Sequence, residues 1–475
     1  MAGYRMHPSI LREYDIRGVV GETLTTDDAL ALGRAFGSFV AARGGRTVAL
    51  GEDGRVSSPA LASRFAEGLS ATGMAVFRIG LGPTPMLYYA GKSLGADGAV
   101  MVTGSHNPPD QNGFKMVVKG AAIYGDDIRK LGEIAQAGAF ASGAGRVVER
   151  PVMEAYLDRL LHDVDVGRPL TIAWDAGNGA TGALLDKLCA NLPGRHIVLN
   201  GAVDGTFPAH HPDPTVPETL EELRKVVLSE RCDFGVAFDG DGDRIGIVDN
   251  EGEILWGDQI MVFLAEDVLS VNPGATIIAD VKASQVLFDE ISRMGGTPLM
   301  WRTGHSLIKA KMAETKALLA GEMSGHIFFA DRYYGYDDAL YAGIRFMNVV
   351  SRATGTLAEL RGRLPKMINT PELRFPCPDE RKFAVVAEVK RRLETARAEM
   401  NTIDGVRVKT ADGWWLLRAS NTQDVLVARC EAASPTGLES LKAALAEQLS
   451  LSGISAPVLR PSPEPSRRPR RRATG

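Results

Sequence analysis

Three aspartates alternate with glycine in FDGDGDRIGIVDNEGE, at Asp239, Asp241 and Asp243. Gly240 and Gly242 let the backbone curl tightly, so the like charges aim at one point, where they repel unless a cation sits between them. An EF-hand calcium loop also opens with alternating acids, but it needs Gly at its sixth position and Glu at its twelfth. Those positions here hold Arg244 and Asn250. All-oxygen ligation with positions left open for water or phosphate suits Mg²⁺. The plain alternative is an Asp/Gly turn, although turns rarely need three converging carboxylates.

A second group lies in TGSHNPPDQNGFK, residues 103 to 115, directly after the apolar run AVMV. It crowds Ser105, His106, Asn107 and Lys115 around two prolines and two glycines, although a turn needs none of the last three side chains. No GxSxG elbow surrounds Ser105, which argues against a simple hydrolytic nucleophile. A third group is LLAGEMSGHIFF, where Glu322, Ser324 and His326 alternate. In an extended segment they share one face and suit sugar hydroxyls; a half-exposed polar strand fits the pattern as well. The fourth is LLRASNTQDVLVARCEA, in which Arg418, Ser420, Asn421, Thr422 and Arg429 match a dianionic phosphate, against a capped turn between two strands. A serine, a metal site, hydroxyl-binding groups and phosphate-binding groups together describe phosphoryl transfer on a sugar.

Such groups need rigid elements behind them. TVALGEDGR, GAVMVTGSHN, TIAWDAGNGATG, FGVAFDGDGDR and TIIADVKAS each read as an apolar strand entering a Gly-rich turn and then a helical segment. ATGALLDKLCANL and VLFDEISRMGG carry apolar residues at three- and four-residue spacing. Strand, turn and helix in that order predict α/β domains with mainly parallel sheets and ligands at the carboxyl ends of the strands. A chain of 475 residues, 45% hydrophobic and 24% charged, has room for several such cores.

The motifs TGSHNP, DGDGDR, GEMSGH and RASNT in this order along the chain, with EYDIRG (13 to 18) and GPTP (82 to 85), make the chain resemble the α-D-phosphohexomutase superfamily, and within it the bacterial phosphomannomutase/phosphoglucomutase group. The likeness covers nearly all of residues 8 to 452. It implies three similar α/β domains and a smaller C-terminal α+β domain around a central active-site cleft. PVMEAYLDRLL, GDQIMVFLAEDVL and TPELRFPCP fit as connectors, giving domains at 1–150, 151–256, 257–369 and 370–454. It also implies interconversion of hexose 1-phosphate and hexose 6-phosphate, of mannose or glucose, through a phosphoserine and a hexose 1,6-bisphosphate, with glucose 1,6-bisphosphate as activator. Ser105 would carry the phosphoryl group and lend one of its oxygens to Mg²⁺ beside Asp239, Asp241 and Asp243. His106, Lys115, Arg17 and Arg244 would surround it with positive charge. Lys115 and His305 are the implied candidates for the base. Tyr14, Lys282, Glu322, Ser324, His326, Arg418, Ser420, Asn421, Thr422 and Arg429 would bind substrate. Phosphoglucosamine mutases usually carry Gln where Met323 stands, so hexose is favoured over hexosamine; a phosphatase and an idle sugar-phosphate sensor are the readings from other classes. Asp424 departs from the family's RxSNTxP, which has proline there.

The rest of the sequence narrows partners. No window approaches the roughly 18 apolar residues of a membrane helix and MAGYRMHPSILREYD lacks a secretory h-region, which predicts a cytoplasmic protein without membrane partners. Cys189, Cys232, Cys377 and Cys430 form no CxxC pair and read as buried thiols. The net charge of −4 is uneven: the last sixteen residues carry six Arg and one Glu, leaving about −9 on the body, which is not a nucleic-acid-binding balance. That Pro- and Arg-rich end, 455–475, reads as a disordered basic tail.

Overall fold

The structure, a computed structural model, describes residues 3–421 and 423–456. Thr422 and the basic end from residue 457 lie outside the described residues. The chain packs as two units, Met1–Pro365 and Lys366–Gly475.

The first unit holds three sheets. The first contains β1 (Ile16–Val19), β2 (Thr47–Glu52), β3 (Ala75–Leu81), β4 (Gly98–Val102), β5 (Gln111–Val118), β6 (Ala121–Ala122) and β7 (Arg146–Glu149), in the order β1-β5-β4-β2-β3-β7 with β6 beside β5. The second contains β8 (Leu170–Asp175), β9 (Gly194–Leu199), β10 (Phe234–Phe238), β11 (Ile245–Asp249) and β12 (Ile254–Leu255), in the order β12-β11-β10-β8-β9. The third contains β13 (Thr276–Asp280), β14 (Thr297–Trp301), β15 (Leu319–Gly321), β16 (Ile327–Phe329) and β17 (Tyr336–Asp337), in the order β14-β13-β15-β16-β17.

Every sheet of this unit is mixed, which corrects the expectation of mainly parallel sheets. TVALGEDGR, TIAWDAGNGATG and TIIADVKAS do run from strand to turn to helix, but GAVMVTGSHN and FGVAFDGDGDR do not. β4 pairs antiparallel with β5, β10 with β11 and β15 with β16. The reason is length. The intervening segments 103–110, 239–244 and 322–326 are shorter than the dozen or more residues that a parallel crossover requires. These three polar groups therefore sit on hairpin tips rather than at helix entrances, as does the fourth, RASNT, in the second unit. The third tip also corrects the alternation argument: Glu322 to His326 is a turn closed by the Gly325 N–H on the Glu322 carbonyl (3.0 Å), so its side chains do not share a strand face.

One continuous apolar core runs through all three sheets, joining Ala49 and Met101 to Trp174, Phe238, Ala279 and Phe329. The helix Ala339–Arg352, buried along most of its length, packs on β11 and β16 and ties the second sheet to the third. Asp338 caps it, accepting the Tyr341 N–H at 2.9 Å.

The second unit is α+β. β18 (Ile368–Asn369), β19 (Leu373–Pro376), β20 (Met400–Asn401), β21 (Val406–Thr410), β22 (Gly413–Ala419) and β23 (Val425–Ala432) form one antiparallel sheet in the order β18-β23-β22-β21-β20, with β19 also on β23. By its pairing, β18 goes with this sheet, a few residues before the division read from the sequence. The helices Asp379–Thr395 and Pro435–Leu451 contribute Val385, Val389, Leu441 and Leu445 to a core with Trp415, Leu417 and Ala428. All four cysteines are buried and unpaired. Among the described residues no helix is long and apolar enough to cross a membrane.

Candidate active site

β4 is buried at every residue and delivers the 103–110 loop rigidly. Ser105 is 1 % exposed and has φ of +50°, a left-handed conformation that costs an L residue of order 1–2 kcal/mol. Its N–H is held by Thr103 Oγ1 at 2.8 Å, and its Oγ donates to Asp239 Oδ2 at 2.8 Å with His106 Nδ1 3.2 Å away. The serine tip and the aspartate tip touch through their backbones: a Cβ on Gly240 would lie 2.3 Å from the Ser105 carbonyl oxygen, so glycine is required there.

Asp239, Asp241 and Asp243 are each 0 % exposed, and one oxygen from each lies within 4.8 Å of the others. Asp239 Oδ1 is fixed by the N–H groups of Asp243 and Arg244, both at 3.1 Å. Asp241 is fixed from the first sheet's domain by Thr84 of GPTP, whose hydroxyl donates to Asp241 Oδ2 and whose N–H donates to the Asp241 carbonyl at 2.8 Å. Lys115 Nζ donates to Asp241 Oδ2 at 2.7 Å and to Asp243 Oδ2. Burial pushes the Asp239 carboxyl well above the usual range, and repulsion from Asp243 and Asp241 adds to it. Burial acts the same way on Asp241, but the Lys115 ammonium overcomes it and holds that carboxyl below its ordinary value. Burial works to lower Lys115, yet Asp241 and Asp243 hold it above the ordinary lysine range. Asp241 Oδ1 and Asp243 Oδ1 are buried with no hydrogen-bond partner. Two orphaned carboxylate oxygens beside a third acid form a donor set that fits a hard divalent cation.

The GEMSGH turn reaches the same place. Arg244 and His326 form a lone antiparallel bridge between the second and third sheets, and Arg244 Nε donates to His326 Nε2 at 3.0 Å. Asp337, which sequence reasoning passed over, faces two imidazoles: its Oδ2 is 3.1 Å from His326 Nδ1 and 3.5 Å from His305 Nδ1. Lys309 Nζ donates to Asp337 Oδ1 at 2.8 Å. Burial works to raise Asp337, but Lys309 and the two histidines hold it well below the usual carboxylate range. Burial, and then Lys309, push His305 below its ordinary value; burial, then Arg244, Arg17 and Lys115, push His106 well below it. Both rings are therefore neutral near pH 7 and can accept a proton.

Around this centre, Arg17 donates to Asp15 Oδ2 at 2.7 Å and to Asn107 Oδ1 at 2.6 Å. Tyr14 donates to the Thr303 carbonyl at 3.1 Å and meets the His305 ring edge-on at 6.4 Å. Glu322 Oε1 accepts the Gly304 N–H at 2.7 Å, so it and His326 have different neighbours, and Ser324 is half-buried in the turn between them. Asp280, also missed from sequence, collects Thr303 Oγ1 (3.2 Å), the Met323 N–H (3.3 Å) and Lys282 Nζ (4.0 Å), which ties together the loops that carry Lys282, His305 and Glu322. Burial pushes its carboxyl up to about 6 against the pull of Lys282.

In the second unit the RASNT segment is the β22–β23 turn. Arg418 is buried and its Nε donates to Asp404 Oδ2 at 3.0 Å. Ser420 Oγ accepts the Gln423 N–H at 3.2 Å, and Lys382, a buried lysine, donates to the Gln423 carbonyl at 3.0 Å. Arg429, also buried, lies 3.8 Å from Glu431. Asn421 sits at the tip of the turn.

Comparison with known proteins matches this arrangement across almost the whole chain. The family descriptions Phosphoglucomutase/phosphomannomutase, alpha/beta/alpha domains I, II and III, match residues 8–142, 154–252 and 256–367, and the C-terminal domain of the same family matches 372–448. The phosphomannomutase/phosphoglucomutase of Pseudomonas aeruginosa is 45% identical over 450 residues, covering 95% of this chain and 97% of the relative. The phosphoglucomutase of Neisseria gonorrhoeae is 44% identical over 437 residues, covering 91% and 95%. A crystal structure of a phosphoglucomutase/phosphomannomutase family protein from Burkholderia thailandensis superposes with a TM-score of 0.90 at 43% identity, covering 94% of this chain and 98% of the other.

Proposed function

The chain belongs to the phosphoglucomutase/phosphomannomutase family and is a mutase of hexose phosphates, and from that premise we propose that it interconverts the 1- and 6-phosphates of mannose and glucose through a phosphoryl group carried on Ser105. The observation that carries this reading is the Ser105 hydroxyl donating at 2.8 Å into a fully buried aspartate cluster with two unpartnered oxygens. Phosphoserine gives its phosphoryl group to the free hydroxyl of a hexose phosphate, the 1,6-bisphosphate reorients, and its other phosphoryl group returns to Ser105. Free glucose 1,6-bisphosphate primes the serine.

The residues divide the work. Asp239, Asp241 and Asp243 would hold Mg²⁺, which supplies positive charge to the transferring group. Lys115, Arg17 and Arg244 add fixed charge around Ser105, where preorganised donors stabilise the transition state most. His305, neutral, with its Nδ1 3.3 Å from Lys309 Nζ and 3.5 Å from Asp337 Oδ2, takes the proton of the attacking hydroxyl. Tyr14, Lys282, Glu322, Ser324 and His326 bind the sugar. Arg418, Ser420, Asn421, Thr422 and Arg429 bind the phosphate that is not being transferred. The decisive measurement is turnover on mannose 1-phosphate, glucose 1-phosphate and glucosamine 1-phosphate with glucose 1,6-bisphosphate present. The first two should turn over and the third poorly; glucosamine 1-phosphate as the best substrate overturns the assignment.

Arg418 gives a graded prediction. Charge-assisted hydrogen bonds of about 1.5–3 kcal/mol make Arg418→Ala raise KM about 10- to 100-fold. Because the same contact retains the bisphosphate, free glucose 1,6-bisphosphate released per turnover should rise as well. An unchanged leak, measured by enzymatic assay of the released bisphosphate, would show that other groups hold the intermediate.

A further inference from the structure

Arg55, in the GEDGR turn after β2, belongs to none of the groups above. Its side chain is 0 % exposed, and its guanidinium directs four N–H bonds at backbone carbonyls of a single loop. Nη1 donates to the carbonyls of Pro108 (2.6 Å) and Gln111 (2.9 Å), and Nη2 to those of Ser105 (2.8 Å) and Asn107 (2.6 Å). Nε faces Asp53 Oδ2 at 3.3 Å, and that same oxygen accepts the Gly104 N–H at 3.1 Å. The Phe207 ring, from the second sheet's domain, lies 5.1 Å from the guanidinium carbon. A Cβ at residue 104 would stand 2.4 Å from Arg55 Cζ and Nε, so the glycine beside the serine makes room for this one side chain.

We propose that Arg55 is a positioning residue for phosphoryl transfer: its planar fork holds the 104–111 loop so that Ser105 keeps its left-handed backbone and its Oγ stays aimed at the aspartates. The proposal rests on the reading that Ser105 carries the phosphoryl group. A strained φ persists only where its surroundings over-determine it, and here the Gly104 N–H before Ser105, the Ser105 carbonyl and the Asn107 carbonyl after it all end on Arg55 or on its partner Asp53. Charge alone does not do this. A lysine ammonium is a point donor on a flexible stem and cannot span four carbonyls in a plane.

The test uses the full-length protein with Mg²⁺ and glucose 1,6-bisphosphate. Arg55→Lys keeps the charge and loses the fork; Asp53→Asn keeps the shape and loses the counter-charge. Misplacing a reacting atom by about 1 Å costs roughly 100-fold, so each variant should lose about that much kcat while KM for glucose 1-phosphate stays within about threefold. Transfer from pre-phosphorylated variant to glucose 6-phosphate should slow equally, and amide exchange should quicken at 104–111 but not elsewhere in the first sheet. A folded Arg55→Lys protein that turns over within about threefold of the parent overturns the proposal, as does a loss confined to KM. If Arg55→Lys does not fold, Asp53→Asn decides by the same criteria; failure of both to fold assigns Arg55 to stability and also overturns it. Phosphate content of the parent at Ser105 separates the two readings. A phosphorylated parent beside a fully active Arg55→Lys sinks this inference alone, whereas a parent with no phosphate on Ser105 after treatment with the bisphosphate sinks both.

Discussion

Ser105→Ala is expected to lose at least about 10³-fold in kcat, of order 4 kcal/mol of transition-state stabilisation, while still binding sugar phosphate. The variant removes the atom proposed to carry the phosphoryl group and leaves the rest of the site in place: Lys115 keeps its bonds to Asp241 and Asp243, and Arg17 keeps its bond to Asn107. Alanine also tolerates the backbone no worse than serine does, so the fold should be retained. Intact-mass analysis should find phosphate on the parent after incubation with glucose 1,6-bisphosphate and none on the variant. Near-normal turnover by the alanine protein would remove Ser105 from the mechanism.

The second large effect concerns the cation. Chelation of Mg²⁺ should abolish transfer, and Asp241→Asn should lose about 10³-fold in a way that excess substrate does not rescue, because the missing contribution is several kcal/mol of charge stabilisation in the transition state. Among the described side chains, only Lys115 hydrogen-bonds these aspartates with a positive charge. They are fully buried, Lys115 supplies one ammonium for three acids, and Asp239 is already driven toward its neutral form. The same imbalance predicts that added Mg²⁺ raises the Tm of the parent, since a ligand that binds only the folded state stabilises it by mass action. Asp241→Asn should show a much smaller rise. Full activity in chelator, or equal thermal shifts for parent and variant, would place the metal elsewhere.

What could be read from the sequence was whatever is local. Asp239, Asp241 and Asp243 lie within five residues, and Ser105, His106 and Asn107 are consecutive, so their convergence needed no tertiary knowledge. Thr84, Asp280, Arg55 and Asp337 were not legible as site residues, because each acts on a partner that only the sheet order brings near. Arg55 meets a loop fifty residues on because β2 and β4 are neighbours, and Thr84 meets Asp241 across 157 residues. The misread hairpins had a usable signal in their length: six residues between Phe238 and Ile245 cannot contain a crossover helix. The reading of Glu322, Ser324 and His326 as one strand face failed because β15 ends at Gly321 and the chain turns at once. Such a turn is set by the antiparallel partner β16, which an alternating pattern does not reveal.

The left-handed backbone at Ser105 has a consequence at the level of alleles. At φ of +50° the ordinary ranking of substitutions is inverted, since glycine is at ease there while every side chain is strained. If Ser105 carries the phosphoryl group as proposed, a serine-to-glycine change at this position would abolish chemistry without the instability that usually marks a damaging mutation. Cells triage proteins by how often they unfold. An inert copy of this kind would escape that triage, accumulate to normal abundance, and hold sugar bisphosphate that the active enzyme needs.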